Sequence, residues 1–377
     1  MSLKDILKLV FGWRLMTVLI ALPALFLLAP RNRFTNLTPT PSFSNVFTMW
    51  SNFDGVRYLN LAESGYGSTH RLEADFAFFP VYPLAIRSLN FFRNYLATGL
   101  LISHLALIFG LYFIYKLICL DFTARRARSV IYLLLIFPTA FFYGSVYPDS
   151  LLFFFAVLSF YFARRKSFLF ASLVAALASA TGIAGLFLWP CLLYEYWLAQ
   201  KGNLKNCLRP SLIWLTLPPL GLLFFLRFQI IKSTTGFFPA LLNSAFNGQS
   251  VEKLILIHQV FFRYSKMLIF TDHLDPLFFT IVLELFCAIS ILFILIFSFK
   301  KIRFSYWLFT LLTFLLPSFS GSFMGVPRFA LSMFPIFIFL AIWLEKQHPY
   351  FRFLYYGLCL VGSIYSIVLF TRGYFIG

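Results

Sequence analysis

The sequence predicts an all-α polytopic integral membrane protein, one bundle over residues 1–377 with about eleven transmembrane helices. Three observations predict this. The chain is 60% hydrophobic and only 12% charged, against about 25% charged residues in soluble domains. Apolar runs of about 18 or more residues recur from end to end, each long enough to cross a hydrocarbon core of about 30 Å. The basic residues, which raise the net charge to +18, come in short clusters between those runs. That is the positive-inside pattern of membrane topology, and no nucleic-acid signature accompanies it.

Taken in order, the spans fall near 11–29, 96–118, 129–147, 150–163, 167–181, 183–200, 211–231, 277–299, 304–320, 328–345 and 353–371. The first follows Lys4 and Lys8 and has no small-x-small cleavage site after it, so it reads as an uncleaved helix rather than a signal peptide. The clusters Lys4/Lys8, Arg125/Arg126/Arg128, Arg164/Arg165/Lys166, Lys201/Lys205/Arg209, Lys300/Lys301/Arg303 and Lys346/Arg352 then share one side, expected to be cytoplasmic. The 53 Phe and 19 Tyr suit lipid-facing surfaces and interfacial belts. The five cysteines are scattered and form no CxxC pair, so they read as small apolar residues without a disulfide framework or zinc site.

The other side receives the unusual residues. They are the first loop, 30–95, the turn Tyr143 to Asp149, the turn Thr181-Gly182-Ile183-Ala184-Gly185, a second large loop, 232–276, and the segment Gly321 to Arg328. Their convergence on one face predicts an extracytoplasmic functional site. Acids are scarce, 13 in 377 residues. Four of them (Asp54, Glu63, Glu73 and Asp75) fall between positions 54 and 75, which makes the first loop the place to look for chemistry.

Within that loop, Trp50, Asp54, Tyr58 and Leu61 follow helical spacing, and Gly65 is a C-cap. The expectation is a short interfacial helix anchored by Trp50 and Tyr58. Asp54 would then face the membrane side, where a carboxylate is costly unless used or paired; Arg57 is the bland partner. Phe76 to Pro83 (FAFFPVYP) is expected to be irregular, because Pro80 and Pro83 interrupt it. Glu73 and Asp75 sit just before it. They read either as solvated loop acids or as groups that hold a substrate hydroxyl, and with His70 they leave room for a divalent cation.

Arg328 opens an apolar span at the outer face and suits either a lipid phosphate, through charge-assisted hydrogen bonds, or snorkelling to headgroups. Asp149, in the turn Tyr147-Pro148-Asp149, serves either a substrate or the helix that follows. Val251 to Phe270 reads as an interfacial helix. Arg227 and Glu284 are expected to pair across adjacent spans, and Glu195 to be structural. There is no P-loop, dinucleotide fingerprint or DxD motif, so an activated donor would have to arrive on a lipid.

These blocks resemble a known family. FDGVRYLNLAESGY, LEADFAFFPVYPLAIR, VYPDSLLFFFAVLSFYFARR, TGIAGL and VPRFALSMFPIF are similar, in order, to the motifs of PIG-V-type mannosyltransferases, including bacterial relatives, which belong to the GT-C superfamily of membrane glycosyltransferases. The resemblance implies a GT-C-like bundle in the plasma membrane and a polyprenyl-phosphate-sugar donor carrying mannose. It also implies a lipid-linked or glycan acceptor and inversion at the sugar carbon. It implies Asp54 as catalytic base, and Glu73 and Arg328 match the family's acid before FAFFP and its PR-aromatic pattern; Asp75, His70, Tyr58, Trp50 and Asp149 are substrate-binding candidates from the residues themselves. Two positions depart from the pattern. The Trp-Asp pair reads Phe53-Asp54, and the Arg of the Thr-Arg-x-x-Gly turn is replaced by Gly182. Two other readings stand beside an enzyme: a flippase for a polyprenyl-linked substrate, and a membrane subunit without catalysis. The near absence of mid-membrane charge and of an inverted repeat weighs against the flippase.

Overall fold

The structure, a computed structural model, describes residues 1–31, 44–67, 75–91, 93–203, 210–233, 236–245 and 255–376. These residues form helices joined by turns, with no strand among them. Five helical stretches among them are long and apolar enough to cross a membrane: Leu3–Leu27, Tyr95–Ile118, Pro210–Lys232, Pro276–Ser298 and Pro349–Thr371. Shorter apolar helices lie between them. The chain is therefore an all-helical membrane protein.

The helices are α1 (Leu3–Leu27), α2 (Asn45–Thr48), α3 (Asp54–Ser64), α4 (Val81–Ser88), α5 (Tyr95–Ile118), α6 (Ala124–Ile136), α7 (Asp149–Arg164), α8 (Phe168–Ser179) and α9 (Leu188–Ala199). Then follow α10 (Leu217–Ser233), α11 (Phe237–Ala245), α12 (Ile257–Phe270), α13 (Pro276–Ser298), α14 (Phe304–Phe319), α15 (Val326–Phe329), α16 (Pro335–Glu345) and α17 (Pro349–Thr371). Local chemistry sets their starts. Side-chain oxygens of Ser2, Asn94, Thr123 and Asp275 accept hydrogen bonds from the first turns of α1, α5, α6 and α13, which satisfies amide groups the helix leaves free. Prolines open α13, α16 and α17, where no amide is needed.

The bundle is built on α7, which packs between α5 and α8, while α10 lies along α8. Small residues permit the closest approach: a Cβ added at Gly221 of α10 would lie 2.0 Å from the Ala176 carbonyl oxygen. Ion pairs join helix ends at one end of the bundle. Arg164, ending α7, pairs with Asp121 after α5. Arg303, before α14, holds Glu195 of α9 at 2.6 and 2.9 Å, so Glu195 is structural. Arg126 of α6 meets Glu345 of α16 at 2.6 Å. The basic clusters at 125–128, 164–166 and 300–303 thus belong to one end, and Asp149 opens α7 at the other, about 24 Å away along the helix.

Several expectations need correction. The 50–61 face is not one helix. Phe53 takes φ +56°, so Trp50 sits in a separate 3-10 turn, Met49–Ser51, and α3 begins at Asp54. Trp50 is not an interfacial anchor: it is 1% exposed, with the Arg14 guanidinium 4.0 Å over its ring. Tyr58 is also buried, and α3 packs against α4 and α5. Pro83 lies within the first turn of α4, where proline is tolerated, so the irregular FAFFP stretch ends at Pro80. The span expected at 129–147 stops as a helix at Ile136. The interfacial helix expected over Val251–Phe270 is α12, starting at Ile257; residues 251–254 lie outside the described residues. Glu284 accepts a hydrogen bond from the Tyr264 hydroxyl of α12 instead of pairing with Arg227.

Candidate active site

Arg328 is the hub of the end opposite the ion-paired connections. Its Nη1 donates to Asp54 Oδ2 at 2.8 Å, and its Nε lies 3.8 Å from Asp149 Oδ1. The three residues are separated by 95 and 179 positions along the chain. Side-chain exposure is graded: Asp149 12%, Arg328 18% and Asp54 37%. The guanidinium lies 5.4 to 5.8 Å from the ring centres of Phe142, Tyr147 and Phe329, which restrains its plane.

The turn between α6 and α7 clamps both partners. Thr139 donates its hydroxyl to the Pro327 carbonyl at 2.7 Å, and Tyr143 to the Leu331 carbonyl at 2.7 Å; these bracket Arg328. The same turn grips the first loop. The Val146 amide donates to the Trp50 carbonyl at 2.9 Å, and the Tyr147 hydroxyl to the Asn52 carbonyl at 2.8 Å. Asn52 in turn donates to the Phe370 carbonyl of α17 at 2.8 Å. The strained Phe53, seated against Phe370 and Phe375, then aims Asp54 at Arg328. Sequence reasoning missed Thr139, Tyr143 and Asn52. Thr139 and Tyr143 lie in an apolar run and Asn52 beside the acids of the first loop, where neither spacing nor charge singled them out.

A cavity with about 860 Å³ of empty space, partly open to solvent, adjoins the cluster. Its walls come from Tyr58, from Ala77 and Phe79 of the FAFFP stretch, from Pro148 and Asp149, and from Thr181–Ala184. The C-terminal half of α14 and Arg328 complete it. Asp54 touches this cavity only through Arg328. Two buried polar atoms here, Arg328 Nε and Asp149 Oδ2, lack a hydrogen-bond partner among the described residues. Buried polar groups are normally satisfied, so the cluster is under-bonded on its Asp149 side.

The remaining site candidates fall elsewhere. Asp75 is 3% exposed and accepts from the Gly67 amide at 3.4 Å; it does not line the cavity. Burial, aided by the Asp75 charge, pushes the neighbouring Tyr66 phenol well above its usual range. His70 and Glu73 lie outside the described residues. Trp50 is packed against Arg14 and does not line the cavity. Among the described residues no three His, Cys, Asp or Glu side chains group as a metal site.

The first four residues of the turn Thr181–Gly185 line the cavity. A Cβ at Gly182 would lie 3.3 Å from Leu152 Cδ2, a close contact with a side chain that would have to give slightly.

Replacing Tyr143 by Phe should leave the buried Leu331 carbonyl without its donor, costing about 1–3 kcal/mol. A lowered melting temperature in detergent, with unchanged helix content, is the expected result; an unchanged melting temperature would remove this bond from the clamp.

No protein-family model matches the chain, and no curated protein matches it. Among solved structures, it is similar to the crystal structure of the Archaeoglobus fulgidus oligosaccharyltransferase tethered with an acceptor peptide containing the NVT sequon. The identity is 13%, with 98% of this chain and 55% of that chain covered and a TM-score of 0.43. The chain thus spans about half the length of that protein.

Proposed function

We propose that the protein is a membrane glycosyltransferase of GT-C type. It transfers a sugar, mannose by the resemblance, from a polyprenyl-phosphate donor to a lipid-linked or glycan hydroxyl, with inversion. The observation that carries this reading is the Asp54–Arg328–Asp149 cluster beside a cavity at the bundle end opposite the basic connections. A lipid phosphate is the ligand chemistry that suits it. Its oxygens compete with Asp54 and Asp149 for the Arg328 guanidinium. A sugar hydroxyl donates to Asp149.

The same exchange prepares the base. In the free protein the Asp54 carboxylate is held by Arg328 at 2.8 Å. When phosphate takes the guanidinium, Asp54 is released towards the acceptor. The acceptor oxygen attacks the anomeric carbon and gives its proton to Asp54. The bond from that carbon to the phosphate oxygen breaks, and the phosphate leaves with the electron pair under the charge of Arg328. Positive character builds on the sugar, as in glycoside hydrolysis, and the flanking carboxylates stabilise it.

The test is transfer by purified protein in detergent, offered a panel of radiolabelled polyprenyl-phosphate sugars and a mixed lipid and glycan acceptor pool. One donor should yield labelled product without any membrane barrier. A flippase would make no product under these conditions, and failure with every donor would defeat the reading.

A further inference from the structure

We propose that the protein carries a resident anionic phospholipid at the end of the bundle remote from Asp54, its phosphate held by Arg125 and Arg352 and one acyl chain lying between α13 and α17. Two adjoining cavities make this site. The first, with about 480 Å³ of empty space, is bounded by Arg125, Arg126 and Ser129 of α6, Glu345 of α16, and Arg352 and Tyr356 of α17. It contains three guanidinium groups and one carboxylate. Glu345 is taken by Arg126 at 2.6 Å, and no ion pair among the described residues engages Arg125 or Arg352. Three cations from two helices therefore share one carboxylate, and that carboxylate is hydrogen-bonded to Arg126. Basic pockets of this kind between helices suit phosphate headgroups.

The second cavity is apolar, with about 1140 Å³ of empty space. It extends along α13 from Phe279 to Ile294 and is closed by Leu340 of α16 and by Tyr355, Leu358 and Cys359 of α17. That stretch of α13 is about 22 Å long, most of a hydrocarbon core. The two cavities meet on shared helices. Leu340 lines the apolar one, and Leu344, one turn further along α16, lines the basic one. On α17, Tyr355 and Cys359 alternate with Arg352 and Tyr356. A headgroup in the basic pocket thus leads its chain directly into the groove.

The occupant is a phospholipid of the leaflet on the basic side rather than the chain of a donor at Arg328. At its other end the groove reaches Pro138 and Ala330, but Arg328 opens into the opposite cavity and is already engaged by Asp54 and Asp149. Arg125 and Arg352, which no ion pair among the described residues engages, are at the basic end.

Each basic residue near an anionic lipid contributes about a fivefold gain in binding, so Arg125→Gln with Arg352→Gln should weaken retention roughly twenty-five-fold. Arg128→Gln, on the same basic segment but outside the pocket, serves as the control for surface charge. Native mass spectrometry of the protein from phosphatidylglycerol nanodiscs should show one retained lipid, lost in the double variant and kept in the control. A phosphatidylglycerol with a mid-chain diazirine should label the 286–294 and 358–362 segments. Equal retention by the double variant, labelling confined to other segments, or displacement of the lipid by polyprenyl phosphate would overturn the proposal. Stabilisation by inorganic phosphate alone, matching that by phosphatidylglycerol, would reduce it to a free-anion site and equally overturn it.

Discussion

Asp54→Asn is expected to lower sugar transfer about 10²–10³-fold while the protein still folds. Asn keeps the shape and an oxygen that accepts from Arg328 Nη1, but it cannot take the acceptor's proton. Asp54 is the more accessible partner, at 37% against 18% for Arg328, and the retained hydrogen bond keeps the Arg328 guanidinium from being left without that acceptor. Melting temperature and helix content should therefore stay close to those of the unaltered protein. Asp54→Glu keeps the base but lengthens it by one methylene against a partner only 2.8 Å away, so it should retain part of the rate. Full activity in Asp54→Asn would remove this residue from the chemistry. Loss of folding along with activity would move it to a structural role.

The largest stability effect is expected at Gly185. A Cβ there would lie 2.1 Å from the Ala178 carbonyl carbon and oxygen and 2.4 Å from the Ser179 amide nitrogen. All three are backbone atoms of α8, so no side chain can turn aside. Overpacking in cores costs about 1–3 kcal/mol where side chains adjust; with backbone on both sides, Gly185→Ala should cost roughly 3 kcal/mol or more. The turn it would displace, Thr181–Ala184, is a wall of the cavity, so donor binding should fall with stability. Gly12→Ala and Gly357→Ala are the controls. Nothing lies within 4 Å of an added Cβ at either position, and a helical Gly-to-Ala change there favours the helix. Thermal melts that ranked all three variants alike would contradict the packing described for α8.

Much of the architecture was legible because membrane chemistry is written in composition. Long apolar runs located α1, α5, α13 and α17. The basic clusters placed their connections on one end, where Arg126, Arg164 and Arg303 hold ion pairs. Asp54, Asp149 and Arg328 stood out as charges beside apolar spans, and the structure sets them within 4 Å of the central guanidinium. What was not legible depended on tertiary contact. Helical spacing placed Trp50 with Asp54, yet Phe53 breaks the helix because its ring is seated between Phe370 and Phe375, over 300 residues away. Tyr143 and Thr139 were hidden in an apolar run because hydroxyls that bond backbone carbonyls leave no spacing pattern. Glu284 turned to Tyr264, a residue of a loop helix that no argument from adjacent spans could bring beside it.

The central claim is that Arg328 receives the phosphate of a lipid-borne sugar and so frees Asp54. Binding of a short-chain polyprenyl phosphate to the purified protein, measured by titration for the unaltered chain and for Arg328→Gln, tests it most directly. The account predicts saturable binding that falls at least about tenfold when the guanidinium is removed, since hydrogen bonds to charged groups are each worth about 1.5–3 kcal/mol. Equal affinity in the two proteins would contradict it.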